Sequence, residues 1–272
     1  MFLAALAFLL LSLLSLWVRK NFWIWGSLLI ISLVLAQLSK QLTSYGLIPI
    51  FLSIFLFWTL SKKMPQLLRF ACVILALFFT GTLFSCLAPG VPACFSFFKT
   101  NINYGKAIIT LPLLGFIVPI LSYKNIASFF LTRHFALSIC SALILSVIAH
   151  FWFTNSDALR FPSSFLLTLI SYLFFSILPE EALLRGFLQK EILPWVGKGW
   201  AAHITTCAIT AALFTLFHLS WIANLPLIGL IFIAGLLYGI LYEVTKIIEV
   251  PIFCRLLTNI LCFFFLPWQG VL

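Results

Sequence analysis

The chain has 272 residues, of which 64% are hydrophobic and only 8% charged, and its mean hydropathy is +1.21. A soluble globular domain carries roughly a quarter charged residues, so a water-solvated fold is excluded and the length is better counted in spans of about 20 residues. The net charge of +10 comes from Lys and Arg placed singly or in pairs between apolar runs, as loop anchors are and a nucleic-acid patch is not.

The runs predict an all-α, polytopic membrane bundle of about 8–10 transmembrane helices. The first run, 2–18, is apolar from residue 1 and lacks a basic leader, so it reads as a span or signal anchor rather than a removed signal peptide. It ends at Arg19-Lys20-Asn21. The second, 22–38, ends at Lys40, and the short third, 47–60, at Ser61-Lys62-Lys63. The fourth, 67–88, meets Pro89-Gly90, and a turn-rich stretch follows to Lys106. The fifth, 107–121, carries Pro112 and Pro119, which membrane helices tolerate when neighbours satisfy the backbone. Ser122 to His134 mixes Phe with Lys124 and Arg133 and reads as an interfacial amphipathic piece. It also marks a boundary between an N-terminal region, 1–125, with no legible motif, and a C-terminal domain, 126–272. The sixth run is 135–153, followed by a loop with Asn155, Ser156, Asp157 and Pro162. The seventh is 163–178, the eighth 200–218, the ninth 224–242 and the tenth 250–267.

Basic residues concentrate in the breaks after the odd-numbered runs, which places those breaks in the cytoplasm and the N-terminus outside. Seven cysteines are present with no CxxC, so a thiolate metal site has no support. Cys86 and Cys94 flank a turn and would pair only in an oxidising compartment.

The stretch that stands out is Pro179-Glu180-Glu181-Ala182-Leu183-Leu184-Arg185. Between Phe161 and Leu188 its three ionisable groups are the only charges, and it holds two of the six acidic residues of the chain. Ionisable groups at the end of a membrane span are costly and mark function; alternatively, Pro and Glu suit the first turn of a helix. Glu181 and Arg185 have the i,i+4 spacing of a helical ion pair. Glu180 is turned by about 100° from Glu181, and a carboxyl in an apolar, partly dehydrated place suits general-base work. His218 ends the eighth run with Phe214 one turn before it. His134 and His150 lie at run ends and His203 at the start of the eighth run, and they read as interfacial or satisfied core histidines. Gly235 and Gly239 form a GxxxG, read as close helix packing. Arg255 and Asn259 share a face of the last run. Asn259 reads as an interhelical hydrogen-bonding group or an oxyanion donor, and Arg255 as a side chain snorkelling to the interface or facing the same cavity.

In that order, Glu-Glu-x-x-x-Arg, Phe-x-x-x-His and a final Asn resemble the CAAX-protease and bacteriocin-processing family. These are intramembrane glutamic proteases that include the CAAX prenyl protease and bacterial abortive-infection proteins, and the resemblance covers 163–268. It implies an endopeptidase of the CAAX prenyl protease type. Glu180, helped by His218, would activate a water; Glu181 would position Arg185; Asn259 would donate to the oxyanion. The implied partners are the lipid bilayer and a membrane-embedded or lipidated protein or peptide substrate, with no nucleic acid. The expected location is the inner (plasma) membrane. At Arg255 the chain departs from the family's His-x-x-x-Asn or His-x-x-x-Asp. Arg has no acceptor, so it cannot serve as base or metal ligand, although it can donate to an oxyanion. No cofactor is expected. A divalent metal on Glu180, Glu181 and His218 is the alternative, but a catalytic zinc commonly takes more than one His. Two other functions stay open: a catalytically impaired member acting as a scaffold or immunity factor, and an ion-coupled transporter, which would show internal repeats.

Overall fold

The computed structural model describes residues 1–84, 90–91, 95–97, 100–121, 133–153, 165–219 and 225–265. Each of the ten apolar runs becomes a helix: α1 (Phe2–Val18), α2 (Phe22–Leu38), α3 (Leu47–Leu60), α4 (Gln66–Phe84), α5 (Tyr104–Ile117), α6 (Arg133–Phe153), α7 (Phe165–Val196), α8 (Trp200–His218), α9 (Leu225–Thr245) and α10 (Glu249–Phe265). An antiparallel pair of three-residue strands, Phe95–Phe97 with Thr100–Ile102, precedes α5. Among the described residues, α4, α6, α7, α8 and α9 are long and apolar enough to cross a membrane, and α1, α2, α3 and α5 are shorter apolar helices. The protein is a polytopic helical membrane protein. The Cys86–Cys94 pair and most of the Ser122–His134 piece lie outside the described residues.

The chain forms two compact units. The first comprises Met1–Tyr123 and Ile170–Leu183; the second comprises Lys124–Leu169 and Leu184–Leu272. In the first, α1 packs on α2, and α5 packs on α1, α3, α4 and the Leu173–Glu181 part of α7. Apolar surfaces supply no hydrophobic drive between helices in lipid, so small residues and buried hydrogen bonds carry more of the association. Ser12 Oγ donates to the Trp25 carbonyl at 2.6 Å, and Ser32 Oγ to the Ala5 carbonyl at 2.7 Å. Ser32 Oγ also lies 2.7 Å from the Tyr104 hydroxyl, tying α2 to the first turn of α5.

In the second unit α6 packs on α10, α8 on α9, and α9 on both α6 and α10. The GxxxG of α9 is a packing motif, as its sequence suggested. A Cβ at Gly235 would lie 2.9 Å from Phe214 Cδ1 and 3.2 Å from the Ala211 Cα, and one at Gly239 would lie 3.4 Å from Cys207 Cβ. At the far end of this pair Gln189 Nε2 donates to the Gly239 carbonyl at 3.1 Å and to Glu243 Oε2 at 3.0 Å. His203 Nδ1 lies 2.7 Å from Glu243 Oε1, which also pairs with Lys246.

Candidate active site

The glutamates do not begin a helix or close a span. They lie in the middle of α7, a continuous helical segment of 32 residues. The physical reason is the way α7 absorbs Pro179. A proline inside a helix offers no N–H, and its ring clashes with the carbonyl four residues earlier. Here a π-helical stretch, Leu173–Ile177, widens the backbone just ahead of it. An α-helical turn, Leu178–Glu181, then carries both glutamates, and a second π-helical stretch, Ala182–Leu188, carries Arg185. Such π turns are rare and concentrate at functional sites.

Glu180 is 3% exposed and Glu181 fully buried. A buried carboxylate needs a charge or hydrogen-bond partner, and Glu180 has one that its local sequence does not supply. Lys106 Nζ lies 2.7 Å from Glu180 Oε1, with the two side chains 20% and 4% exposed. Ser176, one turn earlier on α7, donates to the same oxygen at 3.4 Å.

The position of Lys106 is built by its own helix start. Asn103 caps α5, its Oδ1 accepting from the Lys106 backbone N–H at 3.0 Å, and its Nδ2 donates to the Phe84 carbonyl at 2.9 Å. The chain approaches the end of α4 so closely at Gly105 that a Cβ would lie 2.9 Å from the Leu83 carbonyl oxygen, which only glycine permits. The ammonium sits 5.3 Å from the Phe84 ring centroid, within cation–π range.

In the second unit, three of the singled-out residues gather around one ring. The Phe214 centroid lies 4.4 Å from the His218 ring, 4.7 Å from Arg255 Cζ and 5.1 Å from Arg185 Cζ. Tyr238 meets the same ring edge-on at 6.2 Å. Arg185 is fully buried, lies 5.9 Å from the Tyr238 ring centroid, and donates through Nη2 to the Gly235 carbonyl at 2.7 Å. Arg255 does not snorkel: it is 5% exposed, with its planar guanidinium over Phe214. Stacking on an aromatic face suits a guanidinium better than the more strongly hydrated ammonium of Lys.

His218 is buried, and its Nδ1 lies 2.7 Å from the Phe214 carbonyl oxygen. A carbonyl only accepts, so Nδ1 carries the proton and Nε2 is the acceptor nitrogen of the neutral ring. Asn259 follows one turn after Arg255 on α10 and is half-buried. The six sequence-derived residues therefore divide as Glu180 and Glu181 in the first unit, and Arg185, His218, Arg255 and Asn259 in the second. Among the described residues, no three His, Cys, Asp or Glu side chains gather as metal ligands would. The residue that sequence reasoning missed is Lys106. Its one signal is an isolated cation at the threshold of an apolar run.

Residues 162–261 match the family model of the type II CAAX prenyl endopeptidase, Rce1-like proteins. No curated protein and no solved structure matches the chain. The matched segment contains Glu180, Glu181, Arg185, His218, Arg255 and Asn259, and it bears out the resemblance to the CAAX-protease family. That is a family of membrane proteases, and the scaffold and transporter readings gain nothing from the match.

Proposed function

We propose that this protein is an intramembrane endopeptidase of the CAAX prenyl protease type, cleaving a peptide bond in a membrane-embedded or lipidated substrate. The observation that carries the reading is Glu180: a carboxylate 3% exposed in the middle of an apolar 32-residue helix, placed between two π-helical stretches and inside the matched segment. A buried charge of this kind is expensive and is retained for function.

In the proposed reaction a water attacks the scissile carbonyl carbon while its proton passes to the Glu180 carboxylate. His218 assists through Nε2, the nitrogen that its hydrogen bond to Phe214 makes the acceptor. The carbonyl oxygen becomes an oxyanion, which Asn259 and the Arg255 guanidinium stabilise by donating to it. The proton is then delivered to the leaving nitrogen as the C–N bond breaks, giving a carboxylic acid and an amine, and the acid's remaining water-derived proton passes to the amine to leave carboxylate and ammonium. Glu181 and Arg185 support the site, with Arg185 locked by Gly235, Phe214 and Tyr238.

The test is hydrolysis of a farnesylated peptide ending in a CAAX box, and of its unprenylated counterpart, by purified protein in bilayers. Wild type, Glu180→Gln, His218→Gln and the double variant are compared by mass spectrometry of the products. Groups that act as a unit show non-additive losses, so the double variant is expected to be about as inactive as either single one. Losses that multiply in full would separate His218 from the chemistry of Glu180.

A further inference from the structure

We propose that Lys106 is the positioning residue of the Glu180 carboxylate, a role that no motif of the matched segment assigns and that the N-terminal region supplies. The inference rests on Glu180 being the general base. Three independent features point to it. The ammonium is 2.7 Å from Glu180 Oε1, the length of a strong charge-assisted hydrogen bond. Ser176 donates to the same oxygen, so the side chain is tied at one end of its carboxylate. And Lys106 is itself held by the Asn103 cap, the Gly105 approach to α4 and the Phe84 ring.

A base that takes a proton from water has to present an oxygen in one direction, and an error of about 1 Å in such a group costs on the order of 100-fold in rate. A free glutamate side chain has several rotamers available. Fixing Oε1 fixes the plane of the carboxylate, and with it the direction of the second oxygen. Lys106 exchanges no proton in this scheme; it sets the aim of the residue that does. Because it lies 74 positions before Glu180, it also makes the N-terminal helices part of the machinery and not merely an anchor.

The experiment compares wild type, Lys106→Met, Lys106→Arg and Glu180→Gln on the farnesylated CAAX peptide. Lys106→Met is expected to lower kcat about 10- to 100-fold with KM changed less than about twofold, because no substrate contact is removed. Lys106→Arg, which keeps the charge and the donors, is expected to recover most of the loss. A purely structural ion pair would instead lower the amount of folded protein and leave the kcat of the folded fraction unchanged, and that result overturns the inference. Should Lys106→Met fail to fold, Lys106→Gln, which keeps a donor of shorter reach, takes its place: a kcat of the folded fraction lowered about 10-fold or more with KM changed less than about twofold supports the positioning role, and a wild-type kcat overturns it. The two levels separate cleanly. An inactive Glu180→Gln beside a fully active Lys106→Met sinks only the positioning role, whereas a fully active Glu180→Gln sinks the general base on which it rests.

Discussion

Gly235→Ala should loosen the α8–α9 pair, and the structure allows its cost to be worked out against an internal control. The new Cβ would sit 2.9 Å from Phe214 Cδ1 and 3.2 Å from the Ala211 Cα. A ring can tilt, but the Ala211 backbone belongs to the facing helix and moves only if α8 moves. Over-packing of this kind costs about 1–3 kcal/mol. Replacing a helical Gly with Ala also gains up to about 1 kcal/mol through helix propensity, which would mask part of the effect. Gly229→Ala on the same helix removes that ambiguity, since a Cβ there meets nothing within 4 Å. The propensity gain is common to both variants, so Gly235→Ala is expected to be about 1–3 kcal/mol less stable than Gly229→Ala. Unfolding by a denaturing detergent, followed by far-UV circular dichroism, measures the difference. Because Gly235 also accepts from Arg185 and borders Phe214, peptide hydrolysis should fall with it. Equal stability of the two variants would refute the claim that α8 and α9 meet through this glycine.

Arg255→Met should lower kcat on the order of 100-fold with little change in KM, as expected for loss of one oxyanion donor; a wild-type kcat would remove Arg255 from that role. Phe214→Leu takes away the ring against which both guanidinium groups lie and should cost about 2 kcal/mol or more in the same unfolding assay. Stability equal to wild type would mean that the ring does not hold them. Gln189→Leu leaves the Gly239 carbonyl and Glu243 Oε2 without the amide that donates to them, and should cost about 1–3 kcal/mol; no change would show that water replaces the amide there.

Hydropathy made the helices legible, because a bilayer leaves a chain little choice: each apolar run satisfies its backbone internally as a helix. The runs read as 2–18, 22–38 and 47–60 are the helices Phe2–Val18, Phe22–Leu38 and Leu47–Leu60. The same reasoning failed at residue 178. Proline followed by two charges has the composition of a helix start, and nothing local tells that a π turn can absorb the proline and carry the helix on to Val196. The packing role of Gly235 and the contact of Phe214 with His218 were legible because both follow from spacing on one helix. The partner of Glu180 was not, since the ion pair to Lys106 joins residues 74 positions apart and depends on how α5 meets α4. Of the two readings of Arg255, snorkelling is the one that fails: a lone arginine near a helix end commonly reaches for the interface, but an aromatic face within the protein holds it instead.

The most direct measurement is the kcat of Glu180→Gln against wild type on the farnesylated CAAX peptide in reconstituted bilayers. The amide keeps the size of the carboxyl but cannot take a proton from water. A loss of about 100- to 10,000-fold is expected for removal of a general base. Hydrolysis at the wild-type rate would contradict the assignment of Glu180 as the group that activates water.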